Sequence, residues 1–431
     1  MRRFVAKYTG GTTISAGTLQ LGNAGTTGSV TGNILNNAAL TVNRSNALIY
    51  ASVISGTGTV TKSGTGTLTL SGANTYSGST TISTGTLQAG ATNAFSSASA
   101  HTVASGAFLD LSGFNQTVGS LAGAGTLTNA GGAGATLTAG GDNTSTTFSG
   151  VIQDGAGVTG LTKVGTGTFT LSGDSTYTGG TTISAGTLQL GSGGTTGSVA
   201  GNIVNNAGLT VNRSNALTYA GVISGTGTLT QAGTGTTILT GANTYSGSTT
   251  ISAGTLALSG SGSIASSSQV NVSAAAGTFD ISGTSSGATV TTLNGVANSH
   301  VTLGGQTLAI SNGSTTYAGI IQGAGGLTLT GGTQTLSGAN TYTGATNVNA
   351  GTLQAGANTS FAQNSAFTIA SGATLALNNF NETIGSLAGA GTVTNGGAAN
   401  RTLTTGGDNT STTFSAAGRC SILRASPRTA A

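Results

Sequence analysis

The sequence predicts an all-β protein whose short strands stack on copies of themselves. Apolar and hydroxyl side chains alternate in T-L-T-L at 67–70, T-T-I-S at 80–83 and T-L-Q-A at 86–89. This period of two is typical of half-buried strands. No stretch has a helical stripe, and the 77 glycines would each cost a helix about 1 kcal/mol. A unit this short cannot bury its own apolar face, so neighbouring copies must cover it.

A polar turn, ANTYSG at 73–78, separates the first two runs and recurs along the chain. It reappears as STYTGG at 175–180, ANTYSG at 242–247 and ANTYTG at 339–344, with a shorter KYTGG at 7–11. Between 8–85 and 177–254, 64 of 78 positions are identical, which indicates tandem duplication. The repeats define short blocks 8–75 and 177–244, long blocks 76–176 and 245–341, and a partial long block 342–415.

The run KSGTGTLTLSGANTYSGSTTISTGTLQAG at 62–90 resembles the autotransporter-associated β-strand repeat. That repeat occurs in passenger domains of bacterial type V secreted surface proteins. The resemblance implies a right-handed parallel β-helix (β-solenoid) with coils of about 20–25 residues. At one strand spacing per coil, the predicted rod is about 80–100 Å long. It also implies an outer-membrane barrel in the full-length parent, of which this chain shows no sign.

Composition excludes several functions. Only 4% of residues are charged, and the net charge of +4 comes from the two ends, since 9–415 contain five basic and seven acidic residues. A nucleic-acid binder needs a clustered basic face, which this pattern lacks. The single cysteine, Cys420, permits no disulfide framework. No apolar run is long enough for a membrane helix, and the start, MRRFVAKYTGG, lacks the apolar core of a signal peptide.

The composition changes abruptly after Ser415. Residues 416–431 hold the chain's only cysteine, its only proline and three of its eleven basic residues. We therefore expect this tail to be foreign to the repeat, as a frameshifted or truncated end would be. A natural β-helix cap is the alternative.

No residue set predicts catalysis, a cofactor or a metal. The stretch GTGTVTKSG at 56–64 has Thr61 where a phosphate loop needs glycine. Each GGDNTSTTF copy offers one carboxylate, Asp142 or Asp408, which is too few for calcium and suits a turn cap. His101 and His300 are expected in turns or on the surface. The seven acids are scattered singly, although coil stacking leaves a glycosidase pair open: Asp110, Asp142, Asp154, Asp174, Asp280, Glu382 and Asp408.

The recurring Asn and Tyr of ANTYSG have two interpretations. The simpler one is a turn asparagine beside a tyrosine that packs on the next coil with its hydroxyl in water. The other is a row of aromatic rings that contacts carbohydrate.

The sequence therefore predicts a non-catalytic surface passenger fragment that forms a rod-like stalk and acts as an adhesin. Its expected partners are surface glycans or proteins, with end-to-end self-association and no nucleic acid. A polysaccharide-degrading β-helix remains an alternative. So does an ice- or crystal-binding surface, suggested by Thr-X-Thr at 57–59, 59–61, 65–67 and 67–69. That surface would require threonine pairs in register over many coils, which the irregular blocks make unexpected.

Overall fold

A computed structural model describes residues 10–396 and 400–415, together with the backbone of a strand at Arg424–Ala425. Every regular element in these segments is a β-strand, and every recorded pairing is parallel. The chain divides into two compact units, Met1–Thr210 and Val211–Ala431. The predicted all-β parallel solenoid is thus confirmed. The tail at 416–431 lies outside the described residues, apart from that one strand.

Unit 1 consists of short strands, and three of them lie in the alternating runs at 67–70, 80–83 and 86–89. Its strands are β1 (Thr12–Ile14), β2 (Thr18–Gly25), β3 (Ile34–Asn36), β4 (Ala39–Arg44), β5 (Leu48–Tyr50), β6 (Ile54–Ser55), β7 (Thr59–Lys62), β8 (Thr67–Leu70), β9 (Thr80–Ile82), β10 (Thr86–Ala89), β11 (Ala100–Val103), β12 (Phe108–Asp110), β13 (Gln116–Val118), β14 (Ser120–Gly123), β15 (Thr126–Thr128), β16 (Ala135–Ala139), β17 (Thr146–Phe148), β18 (Val151–Ile152), β19 (Thr159–Lys163), β20 (Thr168–Leu171), β21 (Thr181–Ile183), β22 (Thr187–Leu190), β23 (Ile203–Asn205) and β24 (Gly208–Val211).

Unit 2 is also built from short strands. They are β25 (Leu217–Tyr219), β26 (Ile223–Ser224), β27 (Thr228–Gln231), β28 (Thr236–Leu239), β29 (Thr249–Ile251), β30 (Thr255–Gly260), β31 (Val270–Val272), β32 (Thr278–Thr284), β33 (Ala288–Val290), β34 (Leu293–Gly295), β35 (His300–Thr302), β36 (Leu308–Ile310), β37 (Thr316–Tyr317), β38 (Ile320–Gln322), β39 (Leu327–Leu329), β40 (Thr333–Leu336), β41 (Thr346–Val348), β42 (Thr352–Ala355), β43 (Ala366–Ile369), β44 (Thr374–Ala376), β45 (Glu382–Thr383), β46 (Ser386–Gly389), β47 (Thr392–Thr394), β48 (Leu403–Thr405) and β49 (Arg424–Ala425).

Each coil places strands on up to three sides, and each strand pairs with its counterparts one coil away. In unit 1 the middle side forms the continuous series β2–β4–β7–β9–β11–β14–β17–β20–β22. In unit 2 the corresponding series is β27–β29–β31–β34–β37–β40–β42–β44–β47. Partners in register are 18 to 25 residues apart, as for Phe108 and Thr126 or Thr126 and Val151.

The core consists of side-chain columns that run from coil to coil. Leu68 pairs in register with Leu48 on one side and with Leu87 on the other, and Leu87 pairs with Leu109. Leu68 and Leu87 are fully buried, as are Leu70 and Ile82. These four positions were predicted to face inward, and each contributes about 1.5–3 kcal/mol by leaving water. Thr67, Thr69 and Thr86 of these strands and Thr81 of β9 point outward, whereas Thr80 is buried.

Candidate functional site

Four turn-motif tyrosines lie inside the protein and form no surface row, and Tyr8 of the shorter copy lies outside the described residues. Tyr76, Tyr177, Tyr245 and Tyr342 are all 0% exposed. The Tyr76 hydroxyl lies 2.6 Å from Thr80 Oγ1, which in turn lies 2.9 Å from Ser99 Oγ. Burial raises the pKa of Tyr76 to about 12. The expectation that the hydroxyl reaches water was wrong, because it is buried and bonds a threonine four residues later. The expectation of a ring surface for carbohydrate was also wrong, because the four rings are buried.

The motif asparagine replaces a missing strand. No strand is present around Asn74 or Ala94, so the side of unit 1 that carries β6 is interrupted there. Asn74 bridges the gap: its Oδ1 accepts the Ile54 N–H at 2.7 Å, and its Nδ2 donates to Ala94 O at 2.6 Å. The side-chain amide thus supplies the acceptor and donor of one peptide unit. We call such an interruption a sheet break.

The other motif copies make equivalent breaks. In unit 2, Asn243 Oδ1 accepts the Ile223 N–H at 2.9 Å, and Asn340 Oδ1 accepts the Ile321 N–H at 2.8 Å. Their amide groups donate to Ser263 O and Ser360 O, respectively. At the remaining copy in unit 1, Ser175 Oγ accepts the Ile152 N–H at 3.2 Å. The recurring asparagine therefore acts as a structural rung, by which we mean a side chain that bonds the coils on both sides of a sheet break. A pattern of turns alone did not reveal this role.

His101 was expected in a turn or at the surface, and this was wrong. It lies within β11 and is 1% exposed. Its Nδ1 donates to Ser99 O at 2.9 Å, its Nε2 has no partner among the described residues, and its ring lies 5.8 Å from that of Phe95. Burial lowers its pKa to about 4, so the ring is neutral at pH 7. His300, similarly, is a half-buried residue of strand β35.

The seven carboxylates act as hydrogen-bond acceptors, mostly for nearby backbone. Asp142 Oδ1 accepts the N–H and the hydroxyl of Thr144, and Asp408 does the same for Thr410, as the turn-cap interpretation predicts. Partial burial works to raise the pKa of Asp154, but hydrogen bonds from Thr159 and Thr178 outweigh it and lower the pKa. The remaining acids have comparable partners: Asp110 with Ser112 and Ala130, Asp174 with Gly197, Asp280 with Ser282, and Glu382 with Ser360 and Phe361. Within the described segments, no group of three or more His, Cys, Asp or Glu residues could hold a metal.

The basic side chains that the structure describes are buried or half-buried. Arg44, Lys62, Lys163 and Arg213 are buried, and Arg401 is half-buried. Lys62 Nζ donates to Gly64 O and Thr84 O, and Lys163 Nζ donates to three backbone carbonyls at 2.7–3.3 Å. Burial lowers the pKa of Lys62 to about 8. The lysine of GTGTVTKSG thus points into the coil corner and offers nothing to a phosphate.

Outward threonines form single columns, not the pairs that an ice-binding surface needs. Thr41, Thr61, Thr81 and Thr102 occupy one register over four successive coils, and Ala122 follows. In the adjacent column Thr59 pairs with an alanine, Ala39. On another side Thr69 is followed by Gln88 and Asp110. The surface is rich in hydroxyl groups and poor in charge, and its outward threonines do not form stacked pairs.

The sequence profile of the passenger-associated-transport-repeat family matches five stretches of the chain, at residues 6–21, 60–89, 161–190, 229–258 and 331–355. An 80-residue stretch is 65% identical to the adhesin BmaC autotransporter of Brucella suis biovar 1 (strain 1330), covering 19% of this chain and 2% of that protein. The chain therefore corresponds to a very small part of that relative's length. No solved structure matches. The described segments contain no helix with the length and apolar character of a membrane span. The resemblance seen in the sequence is confirmed.

Proposed function

Because the chain is built on passenger-associated-transport repeats, we propose that it belongs to a surface-exposed autotransporter passenger. In this proposal it forms a stalk that contributes to adhesion and performs no catalysis. The parent protein would place it at the cell surface or in the medium. The similarity to an adhesin supports this role, although it covers only a short stretch of that protein.

The observation that carries the proposal is the chemistry of the surface. Every described lysine and arginine side chain is buried or half-buried, and each described carboxylate already accepts a hydrogen bond. General acid–base chemistry needs a free, positioned pair of such groups, and glycoside hydrolysis needs two. What remains outside is mostly hydroxyl and amide, with a few scattered carboxylates and no exposed cation among the described residues, which suits uncharged partners. We therefore propose neutral surface glycans or uncharged protein surfaces as ligands.

The proposal is tested by measuring attachment of beads coated with the purified chain to host cells and to immobilised neutral and sulfated glycans. Contacts between hydroxyls are not screened by salt, whereas ion pairs at a surface are. Attachment should therefore change little between about 50 mM and about 1 M NaCl. It should favour neutral glycans over sulfated ones. Attachment that disappears in high salt, or hydrolysis of the immobilised glycan, would refute this function.

A matched variant sharpens the test. Thr61→Lys and Thr81→Lys each place a charge in the outward threonine column without entering the core, since both residues point away from buried neighbours. If this column takes part in adhesion, each variant should weaken attachment while leaving the circular dichroism spectrum unchanged. Thr138→Lys, on another side of unit 1, is the control for added charge alone.

A further inference from the structure

Among the described strands of one side of unit 1, the outer face has a single exposed aromatic ring. Strands β5, β8, β10, β12, β15 and β18 form this six-stranded sheet. Phe108, the first residue of β12, is 40% exposed, whereas Leu109 beside it is fully buried. Because successive side chains of a strand point to opposite faces, the Phe108 ring lies on the solvent side. A lone exposed apolar side chain is common on protein surfaces, so its neighbours decide whether it has a role.

A row of hydrogen-bonded polar side chains lies next to this ring. Thr69 Oγ1 donates to Gln88 Oε1 at 2.9 Å, and Gln88 Nε2 donates to Asp110 Oδ2 at 2.9 Å. Asp110, two residues after Phe108 in β12, is 3% exposed, and its Oδ1 accepts two backbone N–H groups. The row is therefore held in place over three successive strands. Half-buried Gln88 keeps a second amide hydrogen that no described residue accepts.

Two threonine hydroxyls border the ring along the stack of coils. Thr86 and Thr126 pair in register with Phe108 on the adjacent strands, about 4.8 Å away on either side. Both side chains are half-buried, and neither hydroxyl bonds another described residue. The ring is thus an apolar surface with available hydroxyls on two sides and an ordered polar row on a third.

The second long block shows that this coil forms without the ring. The run ASGATLALNN at 370–379 has Thr374 where ASGAFLDLSG at 104–113 has Phe108. Thr374 also pairs in register with a threonine on each adjacent strand. The same strand pairing therefore accepts a small hydroxyl side chain at this position, and the exposed ring is left available for a ligand.

A hexopyranose matches this arrangement. Its ring face presents C–H groups, which pack on the electron-rich face of an aromatic side chain, and its rim presents hydroxyls that both donate and accept hydrogen bonds. Among the outward side chains of the six strands, Asp110 has the only charge, and it is negative. A sulfated or carboxylated sugar would therefore meet no cation on this face.

A protein partner fits this face less well. A stable protein interface buries about 800 Å² per partner around a cluster of apolar anchors. This face offers Phe108 and, three strands away, Ile49, which is 71% exposed. At one strand spacing per coil these side chains are about 14 Å apart and form no cluster.

We propose that Phe108 is the stacking residue of a subsite for a neutral β-linked hexose. The C–H face of the sugar covers the ring, and its hydroxyls bond Thr86, Thr126 and the second amide hydrogen of Gln88. A β linkage leaves that face uncovered. This inference rests on the proposed adhesive function and names the glycan class that one side of unit 1 binds. Because a flat subsite buries only one face of the sugar, the Kd of a single sugar is on the order of millimolar.

Saturation-transfer NMR on the full chain tests the contact. The chain is deuterated except at its phenylalanine rings, so that irradiated ring protons transfer magnetisation to a molecule that touches an exposed ring. The probes are methyl β-D-glucopyranoside, sorbitol, which has hydroxyls but no ring face, and glucose 6-sulfate, each at about 10 mM. Transfer to the ring protons of the glucoside should exceed transfer to its methoxyl protons about twofold. Sorbitol and the sulfate should receive several times less.

Two kinds of variant locate the subsite. Phe108→Thr should reduce transfer to the glucoside at least about fivefold without changing the circular dichroism spectrum, as Thr374 predicts. Phe114→Thr is the matched control, since Phe114 is 37% exposed but lies in the turn after β12, and transfer should persist. Thr126→Val keeps the labelled ring, removes one hydroxyl and should lower transfer about threefold, which keeps the test decisive if Phe108→Thr fails to fold.

The outcomes that contradict the proposal are distinct. Equal transfer in Phe108→Thr, its loss in Phe114→Thr, undiminished transfer in Thr126→Val, or equal transfer to sorbitol would each overturn the subsite. Equal transfer to glucose 6-sulfate would overturn its preference for neutral sugars.

The result is separable from that of the adhesion test. Attachment of coated beads to neutral glycans without transfer from Phe108 would leave adhesion standing and overturn the subsite. Transfer without attachment would leave the subsite standing and overturn adhesion. If Phe108→Thr abolishes attachment to host cells while no sugar receives magnetisation, the ring contacts a protein and the glycan assignment fails.

Discussion

Replacing His101 with phenylalanine should remove a large part of the protein's sensitivity to acid. The His101 pKa is lowered by burial from 6.5 to about 4. Between these values the His101 ring is protonated in the unfolded chain but not in the folded chain. The free energy of unfolding therefore falls as the pH drops from about 6.5 to about 4. At pH 4 the loss is about 3 kcal/mol, from about 1.4 kcal/mol per pKa unit. His101 is fully buried, so solvent screening does not reduce this figure.

The second long block shows that phenylalanine fits. Phe367 occupies the position of His101 in the matching run, and its ring lies 5.6 Å from Phe361, close to the 5.8 Å between His101 and Phe95. Urea unfolding at pH 7.5 and pH 4, followed by circular dichroism, measures the effect. Between these pH values the wild type should lose about 3 kcal/mol more than His101→Phe, because carboxylate effects are common to both. Phe367→His should introduce a new acid sensitivity. Equal pH dependence of wild type and His101→Phe would refute the reasoning.

Other substitutions test the core and the breaks. Burial raises the pKa of Glu382, so its contribution to stability is fully present below the unfolded pKa of about 4.5 and is lost as the pH rises through the folded pKa. Between pH 4.5 and pH 7, wild type should therefore lose more stability in urea unfolding than Glu382→Gln, and equal pH dependence would contradict this. Leu68→Asp should cost about 4 kcal/mol or more in urea unfolding, because it places an unpaired charge among stacked leucines, and Thr69→Asp on the same strand's outer face is the control. Asn74→Leu should lower the free energy of unfolding by about 2–5 kcal/mol, because it leaves the Ile54 N–H and the Ala94 carbonyl without partners. A loss below about 1 kcal/mol would argue against the role of Asn74 as a rung. Lys62→Gln should be rescued by Leu68→Thr with a coupling of about 0.5–3 kcal/mol, since Thr237 donates to Gln231 at 2.6 Å in the matching block, and additive costs would show that the pairs are independent.

Strand positions and core faces could be predicted because alternation is a local property. Thr-Leu-Thr-Leu places Leu68 and Leu70 inside whatever lies beside the strand, and the observed bounds of β8 and β10 match the predicted runs. The same rule could have placed Lys62 inside, since it follows buried Val60 by two residues. A charged side chain usually lies at the surface, but backbone carbonyl groups at the coil corner accept hydrogen bonds from the Lys62 ammonium and allow its burial.

The burial of His101 and the role of Asn74 could not be read from one sequence. Both depend on which residues lie one coil away, and that register follows from coil lengths that vary between 18 and 25 residues. For the same reason, the sequence did not predict the hydrogen bond between Gln116 and Phe95, which lies 21 residues earlier. Alternation within a strand therefore does not predict which residues pair between coils.

The positions of the sheet breaks indicate how this solenoid tolerates irregular blocks. Within each unit the middle series of strands continues through every coil, and the breaks at Asn74, Asn243 and Asn340 all lie on the other sides. An uninterrupted ladder preserves stacking, because each coil still pairs with both neighbours along it. The other sides can then lose a strand at the cost of one side-chain rung. Of the three breaks closed by an asparagine, the ones followed by Gln116 and Glu382 are sealed, and the one followed by Ala288 is open. The ladder that stabilises the fold therefore continues whether a break on another side is sealed or open.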